Sequence, residues 1–406
     1  MESVDVLVVG GGSAGLSVSH ELASLGIGHL VLERGRVGQT WRDRWDSFCL
    51  VTPNWSVRLP GGAYAGDDPD GFMPRDEIVA HLGRYAAASG APVREGVAVR
   101  TIDRAPGGFV ARTSAGNLHA ASVVLCTGAF QHAHRPAGSD SLPADLLQID
   151  VEDFRNAAGL PQGPVLVVGS GQSGCQLAEE LREAGRDVVL SCGKAPWAPR
   201  RLGDRDLVWW LEASGFLDQP VTTLPSPAAR LGANPVATGH GGGHDLNLRT
   251  LQAIGVTLVG HFVGAAGHQA RFAADLADSV AWGDARNRDI MGLILRAADE
   301  RGLPRPEVAD PAPFDGAVPE EVSLDGFGAV VFAGGFRPDF RSWLPWADAF
   351  DELGFPIQLD GVSTVVEGLF FVGTHFLRTR KSSTLLGVGE DAAIVARTIA
   401  ERMASA

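Results

Sequence analysis

The chain has 406 residues, 45% of them hydrophobic and 20% charged, and a formal net charge of -14 at pH 7. That length exceeds what one core organises and suggests about two to three domains, while the composition excludes a disordered or fibrous chain. The negative field excludes nucleic acid and anionic membranes as partners. The acidic start at Glu2 and Asp5, with no long apolar run, argues against export or a membrane span, so a cytoplasmic location is expected.

From Val4 to Val9 the chain is almost continuously apolar and runs into three glycines, which predicts a buried parallel strand entering a tight turn. Gly10-Gly11-Gly12-Ser13-Ala14-Gly15 matches G-x-G-x-x-G, and Leu16 to Leu25 can form the helix behind it. The glycines have different tasks at a dinucleotide turn. Gly10 permits the turn, Gly12 lets backbone N–H groups approach a pyrophosphate, and Gly15 lets the helix pack closely, with the helix N-terminus adding partial positive charge. His29-Leu30-Val31-Leu32-Glu33 then reads as a second strand, ending in an acid placed to accept from a ribose hydroxyl. Glu33 favours a ligand without a 2′-phosphate, FAD or NAD, and Arg34 and Thr40 are further candidate contacts to it.

The run Ser122 to Thr127 before Gly128 predicts another strand that delivers its C-terminal end to a ligand crevice. A second fingerprint occurs at Val165 to Val168 and Gly169-Ser170-Gly171-Gln172-Ser173-Gly174, about 160 residues after the first, a domain-sized spacing. No acid ends the next strand, Asp187 to Ser191. Ser191, Lys194, Arg200 and Arg201 instead offer the hydroxyl and cations that a 2′-phosphate prefers, so NADPH is expected here.

Arg205 to Leu217, with Trp209 and Trp210, and Ala281 to Glu300 have helical character and are expected to be core or inter-domain packing elements. Pro and Gly concentrate in two long loops, Thr222 to Gly243 and Pro304 to Pro319. His240 and His244 flank three glycines too pliant for a metal pair, so no metal is expected and the loop is read as flexible, near NADPH or substrate. Ala329 to Ala333 before Gly334, and Leu369 to Val372 before Gly373, predict two more crevice strands, and a helix from about Glu390 to Met403 ends the chain. Cys49, Cys126, Cys175 and Cys192 are scattered, which speaks against a dithiol disulfide reductase. The G-x-S-x-G match at Gly11 to Gly15 is no hydrolase elbow, because the HGGG-like run lies downstream of it. Two dinucleotide sites in one α/β chain imply a resident flavin and a diffusible reductant.

On these residues, with Gly38 to Trp55 (GQTWRDRWDSFCLVTPNW), Gly66 to Leu82 (GDDPDGFMPRDEIVAHL), Cys126 to Gly128 and Phe371 to Ala392 (FVGTHFLRTRKSSTLLGVGEDA), the chain resembles the flavin-containing monooxygenases and Baeyer-Villiger-type enzymes. The nearest branch is the bacterial one labelled as flavoproteins involved in cation transport. The resemblance implies two Rossmann-like domains, with the NADPH domain (156–322) inserted into an FAD domain (1–155 and 323–406). It implies that Gly373, Gly387, Gly389, Trp41, Arg42 and Asn54 face the flavin, and that a C4a-(hydro)peroxyflavin transfers one oxygen atom of O2 to a small organic substrate. Asn54 and Trp41 would act at that centre. Asp150 stands where the family has a His, and Phe154 four residues later, which alters an NADPH-linked contact. A homo-oligomer is compatible with this reading, and the other open assignment is an NAD(P)H dehydrogenase passing electrons to a quinone or metal.

Overall fold

The apolar runs form two separate parallel sheets in the computed structural model, which describes residues 1–314 and 319–405. In chain order the elements that build the site are β1 (Glu2–Val9), α1 (Ser13–Ser24), β2 (His29–Leu32), β3 (Gly116–Leu125), β4 (Leu147–Asp150), β5 (Val165–Val168), α2 (Gln172–Glu183), β6 (Val188–Ser191), β7 (Thr257–Val259), β8 (Ala329–Phe332), β9 (Leu369–Phe371) and α3 (Val388–Ala404). The first sheet runs β9-β3-β1-β2, all parallel, with short strands beyond each end and an antiparallel hairpin attached to β3. The second runs β4-β8-β5-β6-β7, again all parallel.

Strands covered on both faces must be apolar without alternation. Val6, Leu7 and Val8 are 0% exposed, as are Val165, Leu166 and Val167. On one face of the first sheet, Leu16, Val18 and Leu22 of α1 join Val395, Ala396 and Ile399 of α3 over Val6, Val8 and Val124. The opposite face packs Leu7, Leu30 and Val123 against Phe109, Phe340 and Phe350. Each such side chain contributes about 1.5–3 kcal/mol by burial, so both sheets are rigid platforms for the turns at their ends.

In register, Val9 is level with Leu125 and Leu32, and Val168 is level with Phe332 and Ser191. Both glycine turns therefore leave the sheets at a flush C-terminal edge, where α/β sheets bind ligands. The two-Rossmann architecture is thus as expected. The second sheet, however, begins before residue 156 and ends after residue 322, because β4 and β8 both belong to it. The physical reason is edge pairing: β8 satisfies the free edge of β5, and β4 that of β8. The chain crosses between the sheets through an antiparallel ribbon of His132–Ala133 with Phe336–Arg337.

The two helical stretches are Leu207–Ala213 and Leu276–Glu300, and Trp210 is a packing residue whose indole N–H donates to Leu202 O at 3.0 Å. Part of the Pro304 to Pro319 loop, residues 315–318, lies outside the described residues. Among the described residues no helix is long and apolar enough to cross a membrane.

Candidate functional site

The first turn is shaped by backbone sterics. Gly10 has φ +111°, and a Cβ there would lie 2.3 Å from Cys126 O; one on Gly15 would lie 1.8 Å from Gly10 O. Both positions are closed to any other residue. Gly12, by contrast, would meet nothing within 4 Å, and it caps α1 without a side-chain hydrogen bond. The helix N-terminus, half-buried Ser13 and buried Ala14 therefore border open space, as does Gly128 across the edge. Gly373 closes the rim against the Ala14 methyl, 2.6 Å from where its own Cβ would be. Glu33 is buried and divided between two amides: Oε2 accepts from Gly11 N at 2.7 Å and Oε1 from Gly35 N at 2.8 Å. A carboxylate has about four acceptor sites, so capacity for ribose hydroxyls remains. Arg34 and Thr40 are exposed.

The second turn repeats the first. Gly169 has φ +112° with Ala333 O 2.5 Å from its would-be Cβ, Gly174 would meet Gly169 O at 1.8 Å, and Gly171 again meets nothing. Ser173 takes the place of Ala14, while Gln172, in the place of Ser13, is used to hold the chain: its amide exchanges two hydrogen bonds with the backbone of Ala237. A buried Ser170 hydroxyl fastens the loop after β6 by bonding Gly193 O and N.

Two of the four expected phosphate ligands are not available to one. Ser191 is buried and donates to Gly260 O at 3.1 Å. Arg200 is 2% exposed, ion-paired with Asp206 at 2.6 Å, bonded to Val51 O at 2.8 Å and stacked 4.5 Å from the Phe72 ring. It joins the two units instead of greeting a ligand, because a desolvated guanidinium takes the nearest buried acid. Burial works against both charges, pushing Asp206 up and Arg200 down. Lys194 and Arg201 are exposed and form no ion pair among the described residues.

The Gly38 to Trp55 stretch spans both units. Trp41 packs beside the first core and 5.9 Å from Phe48, whereas Trp45 is buried in the second core. Arg42 donates to Val37 O at 3.2 Å. Asn54 is buried and holds a loop: Oδ1 accepts from Met73 N at 2.7 Å and Nδ2 donates to Asp68 O at 2.9 Å. Only one of its N–H donors is left over. Asp150, at the edge of the second sheet, is paired through both oxygens with Arg135 at 2.8 and 2.9 Å, and Arg135 lies 4.5 Å from the Phe332 ring. Its carboxylate is thus engaged by a neighbouring cation.

The Gly373 to Gly387 loop carries features that motif reading missed. Phe376 is a bulky residue at φ +48°, a costly conformation that a surrounding structure must impose. His375 beside it is pushed down to about 4 by burial and by the Arg380 charge. Gly387 starts α3, with a Cβ there only 2.5 Å from Lys381 Cγ, and Gly389 packs on Pro60. The signal available in sequence was the cation run of Arg378, Arg380 and Lys381.

The histidine loop is tied to α2 by two side-chain contacts: His240 bonds Glu183 at 3.0 Å and His244 bonds Glu179 at 2.7 Å. No group of three or more ligands for a metal occurs among the described residues. All four cysteines are free, and burial raises the Cys126, Cys175 and Cys192 thiols. Two uncapped helix N-termini over open glycine cradles, one with an acid at the next strand end and one with loop cations, fit the cofactors FAD and NADPH.

Comparisons with known proteins agree with this geometry. An uncharacterized CzcO-like oxidoreductase of Geobacillus kaustophilus is 29% identical over 395 residues, 96% of each chain. Among solved structures, a flavin-containing monooxygenase from Stenotrophomonas maltophilia aligns with TM-score 0.69 at 20% identity, covering 99% of this chain and 100% of that one. The bacillithiol disulfide reductase of Bacillus cereus aligns with TM-score 0.63 at 16% identity, covering 99% and 100%. The model of the pyridine nucleotide-disulphide oxidoreductase family matches residues 7–213. With just over half of its length matched, and with both glycine turns inside the matched span, the chain belongs to the pyridine nucleotide-disulphide oxidoreductase family and is an oxidoreductase.

Proposed function

We propose that the chain is an FAD-dependent, NADPH-consuming monooxygenase that inserts one atom of O2 into a small organic substrate. The observation that carries this is the pairing of two equivalent open cradles in one chain whose four cysteines are all free, with Cys175 and Cys192 beside the second cradle buried in the core and their thiols pushed up by burial. In this reading the parts before and after the second sheet carry FAD, and the second sheet carries NADPH.

Bound FAD supplies the redox chemistry, accepting hydride and delivering electrons to oxygen. The chain's own residues do the rest. Amides at Gly12 and Gly171 face the pyrophosphates, and Glu33 accepts from the FAD ribose. Lys194 and Arg201 meet the NADPH 2′-phosphate in place of Ser191 and Arg200. The remaining Asn54 N–H and the Trp41 ring border the reacting centre, and Asp150 acts only through Arg135. The similarity of the Stenotrophomonas enzyme supports the oxygenating route expected from the resemblance.

The test is oxygen uptake by purified yellow protein with NADPH, against amines, sulfides, ketones and arylpyruvates. Oxygenated product in proportion to NADPH consumed is the expected result. Hydrogen peroxide equal to NADPH for every substrate would favour a reductase that passes electrons to a quinone or similar acceptor. The engagement of most of the Asn54 amide by the 68–73 loop is the observation that keeps this second reading in view.

A further inference from the structure

The loop from Gly373 to Gly387 reaches from the first cradle to the second unit. Gly373 abuts Ala14 at one end, and further on Thr379 forms a bridge with Pro220, Val221 N donates to Arg378 O, and Lys381 N donates to Leu217 O. Three cations lie within four residues here, and their fates differ. Arg378 pairs with Asp391 at 2.9 Å and Glu390 at 3.3 Å, and Lys381 with Glu390 at 2.6 Å and Asp218 at 2.7 Å.

Arg380 has no carboxylate partner among the described residues. Its terminal nitrogens donate to neutral amides, Gln219 Oε1 at 2.8 Å and Asn234 Oδ1 at 3.2 Å, and its buried Nε donates to nothing. Phe216 and Phe376 lie 4.2 and 4.7 Å from the guanidinium carbon. The aromatic rings and side-chain amides fix the half-buried fork and shield part of it from water, its Nε completely, without cancelling its charge. Leaving a partly desolvated cation without a counter-ion is costly, and a ligand that supplies one offsets that cost. The strained Phe376 backbone is part of the same arrangement. Burial lowers Arg380 to about 10, so it stays protonated at neutral pH, and the depressed His375 beside it adds no second charge.

We propose that Arg380 is an anion-binding residue between the two units, which holds a carboxylate of the substrate or adds to the contacts of the Gly171 amides, Lys194 and Arg201 on a phosphate of the nicotinamide nucleotide. The carboxylate case deepens the oxygenation reading and rests on it: it selects small organic acids with an apolar body, which the flanking phenyl rings accommodate. A planar guanidinium with free N–H donors suits either group through paired hydrogen bonds.

The experiment reads binding alone, so its outcome is independent of whether the protein oxygenates anything. The flavin-loaded protein and its R380Q and R380K variants are titrated calorimetrically with phenylpyruvate, with the neutral phenylacetone, and with NADPH. Loss of one charge-assisted contact predicts about ten- to a hundredfold weaker binding of the anion in R380Q, a smaller loss in R380K and no change for phenylacetone. Weakening confined to phenylpyruvate identifies the substrate carboxylate, and weakening confined to NADPH identifies the phosphate. Either result supports the site. Unchanged affinities for both anions in R380Q overturn it; should R380Q fail to fold, unchanged affinities in R380K overturn it equally, because a lysine cannot reproduce the paired geometry.

Discussion

The two glycine turns are near copies in backbone and opposites at the end of the next strand. At the first, β2 ends in a carboxylate steadied by the Gly11 and Gly35 amides. At the second, β6 ends in a serine that faces Gly260, leaving cations of the next loop to define the rim. The turn thus supplies a pyrophosphate cradle of one shape, while the residue at the neighbouring strand end, and the direction its side chain takes, separates one dinucleotide from another.

Filling the tight glycines would undo this equivalence most drastically. Gly15→Val and Gly174→Val would each drive a side chain into a carbonyl 1.8 Å from the Cβ position. We expect G174V to remain yellow but to lose reduction by NADPH, and G15V to lose its flavin, as absorbance and anaerobic reduction will report. A G174V protein reduced normally would end the parallel between the turns.

Arg200→Met probes the second rim alone. It strands Asp206 in the interior, and removing one partner of a buried pair costs about 3–5 kcal/mol. Thermal unfolding should fall while NADPH affinity in the folded protein stays; the reverse pattern would restore Arg200 as a phosphate ligand. Glu33→Gln gives up a charge-assisted bond to a backbone amide, about 1.5–3 kcal/mol, and flavin retention on dilution should drop accordingly. The smallest effect is expected from joint replacement of Lys194 and Arg201 by alanine. Exposed charges contribute weakly, so about tenfold weaker NADPH with unchanged NADH is the expected split, measured by flavin reduction at low nucleotide. Equal losses for both nucleotides would show that these cations do not read the 2′-phosphate.

Backbone sterics act over a few residues, and so both turns are readable from the local sequence. An apolar run into Gly10 or Gly169 specifies a strand, a positive φ and a helix start, and Gly15 and Gly174 are spaced for close packing regardless of the rest of the chain. The acid at Glu33 and the absence of one at Ser191 were legible for the same reason. Fates that depend on residues distant in the chain were not. Strand β4 joins the second sheet because its partner β8 lies almost two hundred residues later, a pairing no local pattern encodes. Arg200 resembles Lys194 and Arg201 as a loop cation, and only its contacts with Val51, Phe72 and Asp206 convert it into a buried tie. Arg378, Arg380 and Lys381 are equivalent on paper; the fold gives acids to two of them and two phenyl rings to the third, because the Coulomb energy of a side chain depends on which charges the tertiary structure brings within a few ångströms.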